Sequence, residues 1–110
     1  MLSDSQTAAI KDTQGRDKGQ VLLAKAHKLA AAIYAVTGFM SDSDPLKWNL
    51  RDKAMSLLSD IFIGHLEVVP GLIDQLVSFI DIGLTSRTVS EMNFSILRKE
   101  YLQLREDLPQ

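Results

Sequence analysis

The chain has 110 residues, of which 45% are hydrophobic and 24% charged, as expected for one soluble globular domain. Its formal net charge of −2 excludes a strong overall attraction to nucleic acid or anionic membranes. The absence of cysteine excludes disulfides and thiolate metal sites, and it favours a cytoplasmic location.

The N-terminal segment is polar and does not have the layout of a signal peptide. Residues 1–18, which include Gly15, are therefore predicted to form a flexible tail. The first helix is predicted from Gly19 to Gly38, because apolar residues recur there at steps of four and three. These inward positions are Leu22, Ala26, Leu29, Ile33, Val36 and Met40. The back of this helix carries the small residues Ala24, Ala31 and Ala35, which another helix could approach closely.

The start of the second helix is predicted by Asp44 as N-cap and Pro45 at the first helical position, and its end by Gly64. Its inward positions are Leu46, Leu50, Ala54, Leu57 and Ile61. A third helix is predicted from about Pro70 to Leu84, with inward positions Val69, Ile73, Leu76, Val77 and Ile80. This region holds the longest apolar run, but Asp74 and Asp81 interrupt it, so we expect no membrane-spanning segment.

The fourth helix is predicted to begin at Thr88, which has capping-box spacing to Glu91, and to end before Pro109. It has two apolar seams, one of Phe94, Leu97, Tyr101, Leu104 and Leu108 and the other of Val89, Met92 and Ile96. No segment alternates with the period of a β-strand. The sequence therefore predicts an all-α protein, with an antiparallel four-helix bundle over residues 19–108 behind the flexible tail.

A second apolar stripe on the second helix is the main functional signal. Trp48, Arg51, Met55, Leu58 and Phe62 follow one another at helical spacing beside the inward stripe. A small bundle covers one such stripe and leaves much of the other in water, and an exposed line of large apolar residues is typical of an interface. We therefore predict an oligomer or partner interface, which symmetry favours as a closed homo-oligomer. The alternative is that neighbouring helices and the N-terminal segment cover the stripe.

Two polar residues of the fourth helix, Asn93 and Glu100, lie between its two apolar seams. They are predicted to be buried, where they would need polar partners such as a lysine or arginine. No nucleophile or second carboxylate accompanies Glu100, so no catalytic residue is predicted. His27 and His65 lack the spacing of metal ligands, and neither a metal nor a cofactor is expected.

Positive charge is concentrated in the first half of the chain, where residues 1–53 hold eight Lys and Arg against six acidic residues. Within the predicted bundle these cations are Lys25, Lys28, Lys47, Arg51 and Lys53. They are the candidate contacts for a nucleic acid, but no aromatic residues alternate with them as in a base-stacking surface. The alternative is an ordinary solvated face.

The stretch KAHKLAAAIYAVTGFMSDSDPLKWNLRDKAMSLLSDI resembles the first two helices of the bacterial four-helix-bundle family that contains the ribosomal-RNA intervening-sequence proteins and the accessory variability determinants of diversity-generating retroelements. The matching positions are Ile33–Tyr34, Asp44, Leu50–Arg51, Ala54 and Ser56 to Ile61, followed by Phe79, Gly83 and Glu91. The resemblance covers residues 25–92. It implies a homo-oligomeric ring, commonly a pentamer, that binds a reverse transcriptase and its RNA.

Taken together, the sequence predicts a non-enzymatic, self-associating helical adaptor with no small-molecule substrate. Its most specific form is the accessory subunit that the resemblance implies. The alternative is a protein-binding scaffold without a nucleic-acid role, whose Trp48 stripe takes a helix of another protein. An enzyme acting through Glu100 is a more distant alternative.

Overall fold

A computed structural model describes the backbone of residues 4–109 and the side chains of residues 18–109. It contains four α-helices, α1 (Asp4–Thr37), α2 (Pro45–Phe62), α3 (Val69–Ser86) and α4 (Glu91–Asp107), with a short 3-10 helix at Leu66–Val68 before α3. Each helix packs against two others, in the cyclic order α1, α2, α3, α4. The predicted all-α four-helix bundle is therefore confirmed.

Helix α1 begins earlier than the sequence predicted. Its backbone is helical from Asp4 instead of Gly19, and its 34 residues make it about twice as long as α2, α3 or α4. Adding residues to an existing helix is much easier than nucleating one, and no proline stops this one. Residues 1–3 and the side chains of residues 4–17 lie outside the described residues, so the flexibility of the tail stays a prediction.

Helix α2 begins as the sequence predicted. The Asp44 carboxylate accepts the Leu46 backbone N–H at 2.9 Å, which satisfies one of the unpaired donors of the first turn, and Pro45 occupies the first helical position. At the other end, Gly64 takes a positive φ of 81°, a conformation that glycine adopts without steric penalty. The chain can therefore turn sharply after Phe62 and enter α3.

The N-cap of α4 is Ser90, so the prediction of a cap at Thr88 is wrong. The Ser90 hydroxyl accepts the Asn93 backbone N–H at 3.3 Å. Thr88 belongs to the preceding turn instead, where its backbone N–H donates to the Gly83 carbonyl and its hydroxyl bonds with that of Ser86 at 2.9 Å. The capping-box spacing to Glu91 was thus a coincidence of this turn.

Inward residues of all four helices form one core. Every member of the first seam predicted for α4 is buried. Of the second seam, Met92 and Ile96 are exposed because α4 packs on α1 and α3 along a single face. Within the core, Tyr101 is fully buried, and its hydroxyl has no hydrogen-bond partner among the described residues.

The segment Leu66–Ser86, which includes α3, is long and apolar enough to span a membrane by length and composition, contrary to the sequence expectation. In the bundle its inward residues, such as Ile73 and Ile80, belong to the core. Its two aspartates form ion pairs with α4, Asp74 with Arg105 at 3.1 Å and Asp81 with Arg98 at 2.8 Å. This compact arrangement is compatible with a soluble protein.

Candidate protein-binding surface

The second stripe of α2 lies on the surface of the bundle. Trp48 and Met55 are 49% and 48% exposed, and Phe62 is 73% exposed. Arg51 and Leu58 are half-buried at the edge facing α1. Within residues 18–109 these large apolar side chains are therefore left in contact with water, while the role of the stripe as an interface stays a prediction.

The antiparallel packing of α1 and α2 turns this stripe into one wall of a shallow groove. Its lining consists of Leu23 and His27 of α1 with Met55, Leu58, Ser59 and Phe62 of α2, and we call it the α1–α2 groove. The inward stripe of α2 anchors the helix in the core, which fixes the neighbouring stripe at the junction with α1. The groove thus follows directly from the helical spacing of the sequence.

An aromatic cluster lies beside the groove, one helical turn before Met55. The Arg51 guanidinium lies over the Tyr34 ring, 4.4 Å from its centroid, and 5.4 Å from the centroid of Trp48. Its Nε donates to Thr37 Oγ1 at 2.8 Å, and its Nη2 donates to the Tyr34 carbonyl at 3.1 Å. Cation–π contacts and hydrogen bonds therefore fix the side chain of Arg51. We call Tyr34, Trp48 and Arg51 the aromatic cluster.

The indole of Trp48 is also held in place. Its N–H donates to the Asp42 carbonyl at 2.7 Å, and the Lys47 ammonium lies 5.2 Å from the ring centroid. Lys47 itself is buried and forms an ion pair with the Asp42 carboxylate, while its ammonium also donates to the Met40 carbonyl at 3.3 Å. The turn between α1 and α2 is thus a support for Trp48.

We expect the support of Trp48 to weaken in acid. The hydrogen bond and charge of Lys47 hold the pKa of Asp42 below its ordinary value. A carboxylate with a lowered pKa stabilises the folded state above its unfolded pKa, and this contribution is lost as the pH falls through the folded pKa. The Asp42 contribution should therefore begin to decline below about pH 4 and be lost once the pH has fallen past the lowered pKa. Chemical denaturation followed by Trp48 fluorescence between pH 2 and pH 6 measures it.

The control for this pH effect is a pair of substitutions. Asp42→Asn should remove part of the loss of stability in acid, whereas Asp52→Asn, an exposed aspartate of α2, should retain that part. Equal acid dependence in the original chain and in Asp42→Asn would contradict the assignment.

Three of the five predicted nucleic-acid contacts have carboxylate partners within the chain. Lys25 faces α4, where it pairs with Glu100 at 3.3 Å and with Asp107 at 3.9 Å. Lys47 is buried, and Lys53 lies 3.9 Å from the carboxylate of Asp52. The remaining two are the exposed Lys28 and Arg51 of the aromatic cluster. Most of this positive charge is therefore balanced by carboxylates of the same chain.

The predicted burial of Asn93 and Glu100 is wrong. Asn93 is exposed, and the Glu100 side chain is 40% exposed, where it forms its ion pair with Lys25. The prediction assumed two buried seams on α4, but Met92 and Ile96 face away from the bundle. Glu100 does have the lysine partner that the sequence suggested.

Sequence reasoning missed several residues of this surface. Leu23, His27 and Tyr34 were assigned to the first helix without a role at the interface. Their place beside α2 depends on how the two helices pack, and the sequence of α1 alone does not contain that information.

Among residues 18–109 no group of three or more His, Asp or Glu side chains could hold a metal ion. Comparisons with protein-family models, curated proteins and solved structures gave no match.

Proposed function

We propose that this chain is a non-enzymatic helical adaptor that works by binding another protein chain through the α1–α2 groove and the aromatic cluster. The observation that supports it is the exposure of Trp48, Met55 and Phe62 in one line. Fully burying an exposed side chain of this kind contributes roughly 1.5–3 kcal/mol, so covering these residues would favour association. In this proposal the protein acts by binding alone, and it does so in the reducing environment of the cytoplasm.

A closed homo-oligomer is one form of this function. The exposed Ala24, Ala31 and Ala35 of α1 would let a helix of a second copy approach closely. The resemblance to the bacterial four-helix-bundle family adds the ring, commonly of five copies, and a reverse transcriptase with its RNA as further partners. The dispersed and largely paired lysines give little support to direct RNA contact, so we propose protein binding as the primary activity.

The test compares two exposed apolar residues on different faces of the bundle. Phe62 in the groove and Met92 on α4 are each 73% exposed. We expect Phe62→Ser to abolish association and Met92→Ser to preserve it, because only Phe62 belongs to the proposed surface. Light scattering over a range of concentrations measures self-association, and co-purification of each tagged variant from the source cells measures foreign partners.

Two outcomes decide the proposal. Loss of an oligomer, or of a specific co-purified protein, in Phe62→Ser but not in Met92→Ser would support it. If the original chain is a monomer at every concentration and all three proteins co-purify with the same set of proteins, the proposal is wrong.

A further inference from the structure

Arg51 is a charged side chain at the edge of an apolar groove. Within residues 18–109 it has no ion pair with a carboxylate, unlike Lys25, Lys47, Arg98 and Arg105. The carboxylate of Asp42 is near enough for Arg51 to help lower its pKa, but that carboxylate is bonded to Lys47. Arg51 is therefore a half-buried cation that forms no direct ion pair within residues 18–109.

The guanidinium is fixed and still has donors to offer. Its bonds to Thr37 Oγ1 and to the Tyr34 carbonyl use Nε and one N–H of Nη2. An arginine has further N–H groups in the same plane, and these match a carboxylate well. Because Tyr34 and Trp48 hold the guanidinium from their ring faces, a ligand would meet a cation whose orientation is already set.

We propose that the α1–α2 groove binds an amphipathic helix of another protein, which places a carboxylate on Arg51 and apolar side chains over Met55, Leu58 and Phe62. This inference rests on the proposed function and specifies the partner. The contacts on α2 follow one another at steps of four, three and four residues, from Arg51 through Met55 and Leu58 to Phe62. They form a line about 16 Å long on one helix. A partner helix of about three turns matches that length, with its acidic residue at one end of its apolar face.

The outer face of α4 in a second copy matches these requirements poorly. Its exposed apolar pair on α4, Met92 and Ile96, is continued along the helix by the cation Lys99. Several of its helix carboxylates already pair with cations of their own chain, namely Asp74, Asp81, Glu100 and Asp107. Charge complementarity therefore favours an acidic helix from a different protein.

The experiment uses Trp48, the single tryptophan of the chain, as its probe. Synthetic helical peptides of about 15 residues carry one Glu followed by Leu at the fourth, seventh and eleventh positions after it, on an Ala and Gln background. A second peptide has the reversed order, because the direction of the bound helix is not fixed by the groove. Each peptide has a partner in which Gln replaces Glu, and binding is followed by the change in Trp48 emission.

We expect the Glu peptide of one direction to bind about tenfold more tightly than its Gln partner, because a hydrogen-bonded ion pair replaces a neutral contact. In Arg51→Gln this preference should disappear, and in Arg51→Lys it should be reduced. The matched control Lys99→Gln, an exposed cation on α4, should retain the full preference. Circular dichroism checks that each variant keeps its helix content.

Equal binding of the Glu and Gln peptides, a preference that survives Arg51→Gln, or no binding by any peptide would overturn the inference. So would a homo-oligomer of the original chain in which Trp48 is shielded from a soluble quencher and becomes accessible in Phe62→Ser. That last result would leave the proposed function standing, since a second copy would then fill the groove. The proposed function fails separately, through the comparison of Phe62→Ser with Met92→Ser.

Discussion

Gly83→Val should lower the free energy of unfolding by about 2 kcal/mol, because α3 and α4 meet at this residue with no room for a side chain. A Cβ atom built on Gly83 would lie 3.2 Å from the Phe94 ring and 3.2 Å from both methyl groups of Val89. Valine adds two further methyl groups at this point, and Phe94 is itself fully buried and cannot move outward. Urea denaturation followed by circular dichroism measures the loss.

Gly71→Val is the matched control, since the same substitution in the same helix meets no atom within 4 Å. We expect it to change the free energy of unfolding by less than about 0.5 kcal/mol. Gly83→Ala should fall between the two, because the helix propensity gained over glycine offsets part of the cost of the Cβ contacts with Phe94 and Val89. Equal stability of Gly83→Val and Gly71→Val would show that α3 and α4 do not approach closely at Gly83.

Tyr101→Phe should raise the free energy of unfolding by about 1–2 kcal/mol, which is unusual for a change in a protein core. The Tyr101 side chain is fully buried, and its hydroxyl has no partner among the described residues. The unfolded chain hydrates this hydroxyl, so folding loses those hydrogen bonds without replacement. Phenylalanine keeps the ring and removes the unsatisfied group. Thermal and urea denaturation of the two proteins measure the difference.

The same pair of proteins should diverge further in alkali. Burial raises the pKa of Tyr101 above its ordinary value of 10.0. A group with a raised pKa contributes its stability below the unfolded pKa, and that contribution declines as the pH rises past it. The original chain should therefore lose a component of stability above pH 10 that Tyr101→Phe lacks. The control is Tyr34→Phe, at a tyrosine on the surface, which should change the free energy of unfolding by less than about 0.5 kcal/mol. A lower free energy of unfolding in Tyr101→Phe than in the original chain would show that the Tyr101 hydroxyl has a partner.

Much of the fold could be predicted from the sequence because the apolar periodicity of each helix is strong. The buried faces of α2, α3 and α4 are nearly those that the spacing indicated, and Asp44 and Pro45 mark a helix start whose chemistry is local. The start of α1 could not be predicted, since helix extension past the last apolar turn leaves no pattern. The α4 cap was misplaced because two hydroxyl residues, Thr88 and Ser90, both stand before Glu91.

The sequence predicts the α2 side of the candidate surface but not the contacts that α1 adds to it. The stripe on α2 could be read from spacing, and its exposure follows from the number of helices available to cover it. The partners of Arg51 could not be read, because Tyr34 and Thr37 come from another helix and their contacts depend on how α1 packs on α2. The exposure of Asn93 could not be predicted for a related reason: apolar residues such as Met92 and Ile96 lie on both sides of it, and which of them face the core depends on how α4 packs.

The bonds that hold Trp48 and Arg51 within their own chain have a kinetic consequence. Side chains already ordered in the free protein lose little rotational freedom when a ligand arrives, so encounter requires no slow rearrangement of this surface. Association rates of different ligands should then be similar. Discrimination between good and poor ligands will appear as residence time, in how slowly each complex dissociates.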